Sequence, residues 1–472
     1  MARGSGGRLG PILSVAGIVA ILFAAGDSGS ATDPHPAGGS GAAPRSEAPT
    51  SPQRPIVPLL NDAARYAIVD SIARALVDGY IFPDVAEEMS LHLRSRLESG
   101  AYDSIRTVPA LADSLHGELR TLSRDRHLRV FYLNPDVPDN EPGLTEAERE
   151  RRKIEEGRRR NFGFERVERL EGNVGYLDLR SFHDARYAGE TASAAMNLLA
   201  NADALIFDLR QNGGGEPNMV QFILSYLFDR PTHLNDFAMR PGTRVRQYWT
   251  LPEVPGTSLS GVPAYVLTSN TTFSAAEEFA YDLQSYRRAE IVGEVTGGGA
   301  HMMRIVRFPT LHVRLGLPFA RAVNPNTGMN WEGRGVSPDL VVPAEQALTA
   351  AHLAALTKLR AAEADPDRRE ALEWIRAGIE AKAKGVRLEA GAARAYPGIY
   401  GPRRVTLEDG SLYYQRDGRT RMRLIPAGSD LFLVEGMEGF RVLFQRNAEG
   451  RVTGITGLYE DGHTDENPRG DR

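Results

Sequence analysis

The stretch ALIFDLRQNGGG, residues 204–215, contains the pattern from which the fold class can be predicted. Its first seven residues, ALIFDLR, open with an apolar run and predict a buried strand, and the glycine-rich turn leads into the apolar helix pattern MVQFILSYLF. The same succession recurs downstream, where PAYVLTS precedes SAAEEFAYDLQSY and AEIVGEV, and upstream, where NVGYLDLRSF precedes ETASAAMNLLAN. Strands that alternate with helices predict an α/β core with a largely parallel sheet.

The segments around this core, which we predict at 173–385, have different patterns. Residues 55–135 carry apolar residues at helical spacing and end in the strand-like HLRVFYL, which predicts an N-terminal helical domain. Residues 136–172 are dominated by charges of both signs, which favours a solvated helix or a charged linker. Residues 390–461 contain short strands separated by DG and EG turns, which predicts a small C-terminal antiparallel β domain, and 462–472 are predicted to be a disordered tail.

Composition excludes several classes of site. The chain has 472 residues, of which 42% are hydrophobic and 25% charged, as in ordinary soluble globular proteins. A net charge of -5 and an isoelectric point near 6.1 argue against nucleic acid as a partner. The absence of cysteine excludes disulfides, thiolate metal sites and a cysteine nucleophile. A nucleophile would therefore have to be serine, threonine, lysine or a carboxylate.

The N-terminus has the pattern of an export signal. Residues 1–31 contain Arg3 and Arg8, then a short apolar run at 11–25, then small residues, as a secretory signal peptide does. The apolar run is shorter than the ~20 residues of a membrane-spanning helix, although an uncleaved membrane anchor is the alternative. Residues 32–54, rich in Pro, Gly, Ala and Ser, predict a disordered linker. We expect a periplasmic or extracellular protein, membrane-associated only if its N-terminal segment is retained.

Ser274 follows a predicted buried strand and begins a predicted helix, in the segment TSNTTFSAAEEF. One interpretation is structural, because Ser274 and Glu277 have the spacing of a helix capping box. The other is catalytic, because ligands of open α/β sheets bind at the carboxyl ends of strands. The N–H groups of a helix N-terminus can also stabilise an oxyanion. The local pattern leaves both interpretations open.

Two further residues could serve a serine nucleophile. His127, in SRDRHLRVF, is of the type that usually acts as the base near neutral pH, although a single histidine can also be purely structural. Glu332, in NWEGRGV, could orient such a base, or could be an ordinary loop residue. The NGGG turn matches neither a phosphate loop nor a dinucleotide loop, but fits an oxyanion loop. We find no HExxH motif or His/Asp cluster, and we predict no metal and no cofactor.

These segments, in this order, resemble one serine peptidase family. It contains the carboxy-terminal processing peptidases, tricorn protease and interphotoreceptor retinoid-binding protein, and the chain is most similar to the bacterial branch that resembles the retinoid-binding protein. The matching segments are LVDGYIFPDVAEEM, NFGFERVERLEGNVGYLDLRSF, ADALIFDLRQNGGG, YVLTSNTTFSAAEEFAYDL, RRAEIVGEVTGGGAH, NPNTGMNWEGRGVSPDLVVP and YPGIYGPRRVTLEDGSLYYQRDG. The resemblance implies a ClpP/crotonase-like sheet with helices as the α/β core.

The resemblance also implies roles for individual residues. Ser274 falls on the family nucleophile, and the position of the lysine base of the processing peptidases is Gly299 in this sequence. His127 and Glu332 fall on the histidine and glutamate of the tricorn-like branch. Arg126 stands where that branch has a serine that links the histidine to the glutamate, so a direct contact or a bridging water would have to replace the link.

The oxyanion hole maps to two backbone N–H groups. One belongs to Ala275, and the other to a glycine of the NGGG turn, for which Gly214 is the first choice and Gly213 the second. The expected activity is hydrolysis of peptides or proteins by Ser274, His127 and Glu332. The alternatives are a non-catalytic carrier of hydrophobic ligands or peptides, and an esterase. Residues 134–172 are too few and too charged for the PDZ module of the processing peptidases, and no pattern predicts the oligomeric state.

Overall fold

The computed structural model describes residues 59–134, 143–240, 245–386 and 388–470. The predicted signal segment and the linker after it lie outside these residues. None of the helices in the described ranges combines the length and the apolar character needed to cross a bilayer.

The described chain begins with three helices, α1 (Asp62–Gly79), α2 (Pro83–Glu98) and α3 (Val108–Ser123). The Asn61 and Thr107 side chains cap α1 and α3 by accepting hydrogen bonds from backbone N–H groups of the first turn. The buried faces of the three helices form one apolar cluster with the strand that follows them. That strand is β1 (Arg129–Tyr132).

A six-stranded sheet forms the centre of the α/β core. Its strands are β2 (Phe164–Leu170), β3 (Val174–Leu179), β4 (Ala204–Asp208), β7 (Ala264–Thr268), β8 (Ala289–Gly293) and β11 (Leu340–Val341). The order is β11-β8-β7-β4-β3-β2, and every neighbouring pair is parallel except β2 with β3. The run ALIFD thus becomes β4, which is buried between two parallel neighbours.

Helices cover both faces of this sheet. The helices are α5 (Ala185–Leu198), α6 (Pro217–Leu224) and α7 (Ala275–Ser285) on one face, and α8 (Ala347–Ala362) and α9 (Pro366–Lys384) on the other. Successive strand residues point to opposite faces. Leu205 and Phe207 of β4 accordingly pack in the first layer, whereas Ala204 and Ile206 pack in the second.

A second, antiparallel sheet connects the N-terminal helices to the core. Besides β1 it contains β5 (His233–Met239), β6 (Val245–Trp249), β9 (His301–Phe308) and β10 (Val313–Val323). Strand β10 pairs with β1, so that Val130 lies opposite Leu315. Because His127 lies just before β1, this pairing determines where it meets the core.

The C-terminal region is an eight-stranded antiparallel sheet. It follows the short helix α10 (Ala390–Ala393), and its strands are β12 (Gly398–Tyr400), β13 (Arg403–Glu408), β14 (Ser411–Arg416), β15 (Met422–Pro426), β16 (Leu431–Val434), β17 (Met437–Arg446), β18 (Val452–Tyr459) and β19 (Thr464–Pro468). A bridge between Tyr400 and Arg469 brings the two ends of the sheet together, which nearly closes a barrel. The predicted fold class, an α/β core with N-terminal helices and C-terminal antiparallel strands, is confirmed.

Two local predictions are wrong. Residues 462–472 are not a disordered tail throughout, because β19 pairs with residues 454–458 of β18. Residues 136–172 are not simply a linker, because their described part contains the helix α4 (Glu146–Arg159) and the edge strand β2. A reciprocal cap between Thr145 and Glu148 starts α4, and pairing with β3 holds β2 in the sheet. The other domain boundaries stay predictions.

Candidate active site

Ser274 lies at the turn between β7 and α7, in an unusual backbone conformation. Its φ is +57° and its ψ is -121°, a region that non-glycine residues rarely adopt and that costs of order 1–3 kcal/mol. In this conformation Ser274 Oγ lies 3.0 Å from His127 Nε2. The structure thus brings together the predicted nucleophile and the predicted base, which are 147 positions apart in the sequence.

Glu277 supplies the carboxylate of the capping box that the sequence predicts at the start of α7. The Glu277 carboxylate accepts a hydrogen bond from the Ser274 N–H at 2.9 Å, and others from the N–H groups of Gly298 and Gly299. Burial raises the pKa of Glu277 to about 7, although its hydrogen bonds lower it in part. Ser274 Oγ also lies within hydrogen-bond distance of His127 Nε2, so the hydroxyl at the helix cap is in a position for chemistry.

His127 is buried, and its ring lies against Phe273 with the ring centroids 4.7 Å apart. Its backbone N–H donates to Asp125 Oδ1 at 2.9 Å, which fixes the chain just before β1. Burial lowers the pKa of His127 from its ordinary 6.5 to about 4, against the charge of Asp125, which raises it. The imidazole is therefore neutral at pH 7 and can accept a proton.

Gly299, at the position of the lysine base in the processing peptidases, has no space for a side chain. A Cβ at this position would lie 2.3 Å from Cζ of Phe273 and 2.7 Å from Cε1 of His127. The imidazole and the phenyl ring thus occupy the space into which a longer side chain would have to extend. The structure explains why a histidine base and a residue with a side chain at 299 exclude each other.

Glu332 lies near His127 but makes no hydrogen bond with it. Its Oε1 accepts from the Arg126 N–H at 3.1 Å, and its Oε2 accepts from the Ala300 N–H at 2.5 Å. Burial raises the pKa of Glu332, and the charge of His301 lowers it in part. Glu332 and His127 form no direct hydrogen bond, and the carboxylate oxygens accept from backbone N–H groups instead. Arg126 participates through its main chain.

Asp125 and His301 are the neighbours of His127 that the sequence did not reveal. Asp125 Oδ2 lies 2.7 Å from His301 Nδ1 and accepts from the Tyr80 hydroxyl at 3.1 Å. Burial alone would raise the pKa of Asp125, but its hydrogen bonds with His301 and the His127 N–H lower it. Burial alone would lower the pKa of His301, but Asp125 raises it. The two therefore form a buried ion pair beside the base. An aspartate two positions before a histidine is the one local signal for it.

The predicted oxyanion hole needs one correction. The N–H of Gly214, the first choice, donates to Asn212 Oδ1 at 2.8 Å and is therefore occupied. The N–H groups of Gly213 and Ala275 have no hydrogen-bond acceptor within the described ranges, and both residues line the cavity that contains Ser274. Gly214 keeps a structural role, because its φ is +106° and a Cβ there would lie 2.7 Å from Cβ of Ser274. Gly213, the second choice, is the better donor.

A cavity of about 420 Å³ opens beside Ser274 and His127. Aromatic and sulfur-containing side chains form much of its wall, and it also contains one exposed arginine and two glutamates. These residues are Phe131, Phe237, Phe273, Trp331, Met302, Met303, Arg129, Glu216 and Glu278. The cavity is large enough for one or two amino-acid side chains and is lined as a binding site for an organic ligand would be.

Asp125, His127 and Glu332 form the one group of potential metal ligands within the described ranges. Each offers one ligand atom, and these atoms lie within 4.8 Å of one another. The carboxylate oxygens already accept hydrogen bonds from N–H groups: Asp125 from His127, and Glu332 from Arg126 and Ala300. A cation would have to replace these donors, so the arrangement fits a hydrogen-bonded histidine base better than a metal site.

Three solved structures that are similar to this chain have low sequence identity with it. An S41-family protein from Bacteroides fragilis is 22% identical, with a TM-score of 0.36 over 40% of this chain, and this chain spans 56% of that protein. The photosystem II D1 C-terminal processing protease is 17% identical, with a TM-score of 0.37 over 60% of this chain and 94% of its own. The tricorn protease is 15% identical, with a TM-score of 0.40 over 61% of this chain and 35% of its own.

Two family models match the chain. Residues 173–342 match peptidase family S41, and residues 59–156 match the N-terminal domain of peptidase S41 in eukaryotic IRBP. Together they span more than half of the chain and contain all three predicted catalytic residues. The resemblance inferred from the sequence motifs is thereby confirmed: the chain belongs to peptidase family S41.

Proposed function

We propose that the chain is an exported serine peptidase in which Ser274 is the nucleophile and His127 the general base. The observation that carries this proposal is the 3.0 Å contact between Ser274 Oγ and His127 Nε2, made at a strained turn where a helix begins. Membership of a peptidase family supports peptides or proteins as the substrates.

Each step of the reaction has a residue to perform it. His127 Nε2 takes the proton from Ser274 Oγ as this oxygen bonds to the carbonyl carbon of the substrate. The carbonyl oxygen becomes an oxyanion that accepts hydrogen bonds from the N–H groups of Gly213 and Ala275. His127 then gives its proton to the leaving amine as the C–N bond breaks, which leaves an acyl group on Ser274. A water molecule attacks the acyl carbon and gives a proton to His127, and this proton returns to Oγ as the ester bond breaks.

Glu332 and Asp125 act in this proposal as positioning residues. When Nε2 accepts a proton from Ser274, the proton of the neutral imidazole is on Nδ1, and this atom is buried without a hydrogen-bond partner in the described part of the chain. Carboxylate oxygens of Asp125 and Glu332 and a ring nitrogen of His127 lie within 4.8 Å of one another, a separation that a bridging water can span. The two carboxylates then stabilise the imidazolium that forms during the reaction.

The test is digestion of a peptide library with the wild type and the Ser274→Ala variant in parallel. We expect cleavage only by the wild type, because the variant has no oxygen to form the acyl intermediate. Ser258→Ala makes the same change at an exposed serine and should cleave as the wild type does. A Ser274→Ala protein that retains cleavage would show that Ser274 is not the nucleophile.

Export is proposed from residues 1–31 alone. Expression of the full chain with its own N-terminus should yield a mature protein outside the cytoplasm. N-terminal sequencing of that protein should begin near residue 26 or residue 32. Retention of the complete chain in the cytoplasm would contradict export.

A further inference from the structure

We infer that Glu278 makes this enzyme prefer lysine or arginine at the residue whose carbonyl Ser274 attacks. The inference rests on the proposed function, since it names the substrate class of the same site. The observation behind it is a buried carboxyl group, without a cationic partner, in the wall of the cavity beside Ser274.

The position of Glu278 follows from its place in α7. It lies four residues after Ser274, about one helical turn along the helix, and lines the same cavity as Ser274 and Ala275. A substrate bound with its carbonyl carbon at Ser274 Oγ therefore extends its adjoining side chain into the cavity that Glu278 lines. The side chain next to the reacting bond is the one that Glu278 can select.

Glu278 is only 4% exposed, the side-chain amide of Asn235 is its hydrogen-bond neighbour, and no lysine or arginine in the described ranges forms an ion pair with it. Burial raises the pKa of Glu278, and the charge of Asp282, one turn further along α7, raises it more. Asp282 itself is held by the side-chain amides of Asn235, at 2.8 Å and 2.9 Å, and Asn324, at 3.0 Å. Asp282 is thus held by two amides, whereas Glu278 shares only that of Asn235, which lowers its pKa in part.

The other charged groups of the cavity already have partners of their own. Glu216 accepts from Lys153 Nζ at 3.0 Å, and His301 pairs with Asp125 at 2.7 Å. Arg129 donates to the Arg126 carbonyl, and its guanidinium lies 5.9 Å from the centroid of the Phe273 ring. None of these cations forms an ion pair with Glu278. A cationic side chain of the substrate would therefore be its only ion-pair partner in this cavity.

The rest of the cavity suits the side chain of lysine or arginine. The walls of the cavity include Phe237, Ala275 and Trp331, which can cover the methylene groups of a long side chain. The volume of about 420 Å³ accommodates such a side chain in an extended form. An apolar side chain of the same length would fill the same space but leave the buried carboxyl group without a cationic partner. This difference produces the discrimination.

The test compares acetyl-Ala-Ala-Xaa coumarylamides in which Xaa is lysine, norleucine or glutamate. Norleucine matches the lysine stem but lacks the ammonium group, and only the bond after Xaa releases fluorescence. For the wild type we expect kcat/KM for lysine to exceed that for norleucine at least about tenfold, with glutamate the slowest. In Glu278→Gln the ratio of lysine to norleucine should fall to about one. In Glu190→Gln, the same change at an exposed position of α5, the ratio should stay at the wild-type value.

The outcomes separate this inference from the proposed function. If the wild type cleaves lysine and norleucine peptides equally, the preference is refuted while the peptidase assignment stands. The same holds if a folded Glu278→Gln protein keeps the wild-type ratio. If the wild type cleaves none of the peptides and a fluorophosphonate does not label Ser274, the proposed function fails and the preference fails with it.

Discussion

The two halves of the proposed catalytic pair are built in different ways. The nucleophile half, residues 268–279, is assembled from contacts close in sequence. Strand β7 ends at Thr268, Ser274 has a positive φ, and the Glu277 carboxylate caps the helix by accepting from the Ser274 N–H. The base half, residues 123–132, depends on distant contacts, because Asp125 meets His301 across 176 positions and Arg126 meets Glu332 across 206. The nucleophile is thus positioned by its own turn, whereas the base is positioned by the way the N-terminal region docks on the core.

We expect the largest loss of activity when the proposed base itself is removed. His127→Ala removes the group that takes the Ser274 proton, so kcat/KM should fall by about 10³-fold or more. The control is His463→Ala, which changes an exposed histidine of the C-terminal sheet. Steady-state kinetics on one peptide would measure both variants. Wild-type activity in His127→Ala would mean that another residue is the base.

Gly299→Ala tests whether the two halves are in contact as tightly as the distances indicate. The new Cβ would collide with Phe273 and His127, so the base should move away from Ser274 and kcat/KM should fall by about 10²-fold. Gly189→Ala in α5 is the matched control, because nothing lies within 4 Å of its added Cβ. Equal activity of the two variants would show that the base half tolerates displacement.

Asp125→Asn tests the distant contacts alone. The Asp125 carboxylate pairs with His301, and its charge raises the pKa of His127. The substitution removes this charge and lowers that pKa, so we expect kcat to fall by about tenfold with little change in KM. The acid limb of the pH profile should also move to lower pH, which a purely structural defect would not produce. Asp461→Asn, at an exposed position, should change neither quantity. An unchanged pH profile in a folded, slower Asp125→Asn enzyme would leave Asp125 with a structural role only.

The smallest expected effect is a shift in the pH profile. The base works only when deprotonated, so activity is lost as the pH falls through the pKa of folded His127. Burial lowers that pKa to about 4, so kcat/KM should stay constant down to about pH 5 and reach half its plateau near pH 4. His301→Asn removes a charge that lowers the pKa of His127, so it should move the midpoint upward. A wild-type midpoint near 6.5 that His301→Asn leaves unchanged would contradict the burial of the base.

The same contrast explains what the sequence could predict. Strands β4 and β7 are apolar runs, so the core could be predicted from local pattern. For Ser274 the local pattern left a helix cap and a nucleophile both open, and the family resemblance pointed to the nucleophile. The pair of Asp125 with His301 could not, since no periodicity links residues so far apart. The polar strand β19 was missed because its TDENP sequence carries no apolar alternation, and its backbone pairing with β18 alone makes it a strand.

The error at the oxyanion hole has a local cause. The side-chain oxygen of Asn212 accepts a hydrogen bond from the N–H of Gly214, two residues further on, as asparagine side chains often do in turns. An asparagine followed by two glycines therefore predicts that the second N–H, that of Gly214, is hydrogen-bonded to the asparagine side chain. It leaves the N–H of Gly213 without this bond. Arg126 stands at the position of the serine of the tricorn-like branch, and its side chain cannot be expected to replace that hydroxyl. The structure shows instead that the backbone N–H of Arg126 donates to Glu332.

The most direct test of the central claim, that Ser274 is activated by His127, is the rate at which a fluorophosphonate labels Ser274. Tandem mass spectrometry of the wild type and of His127→Ala, treated alike at pH 7, would give both the site and the rate. We expect a single adduct on Ser274 in the wild type, and labelling slower by about 10²-fold or more in His127→Ala. An adduct on a different serine, or equal rates in the two proteins, would contradict it.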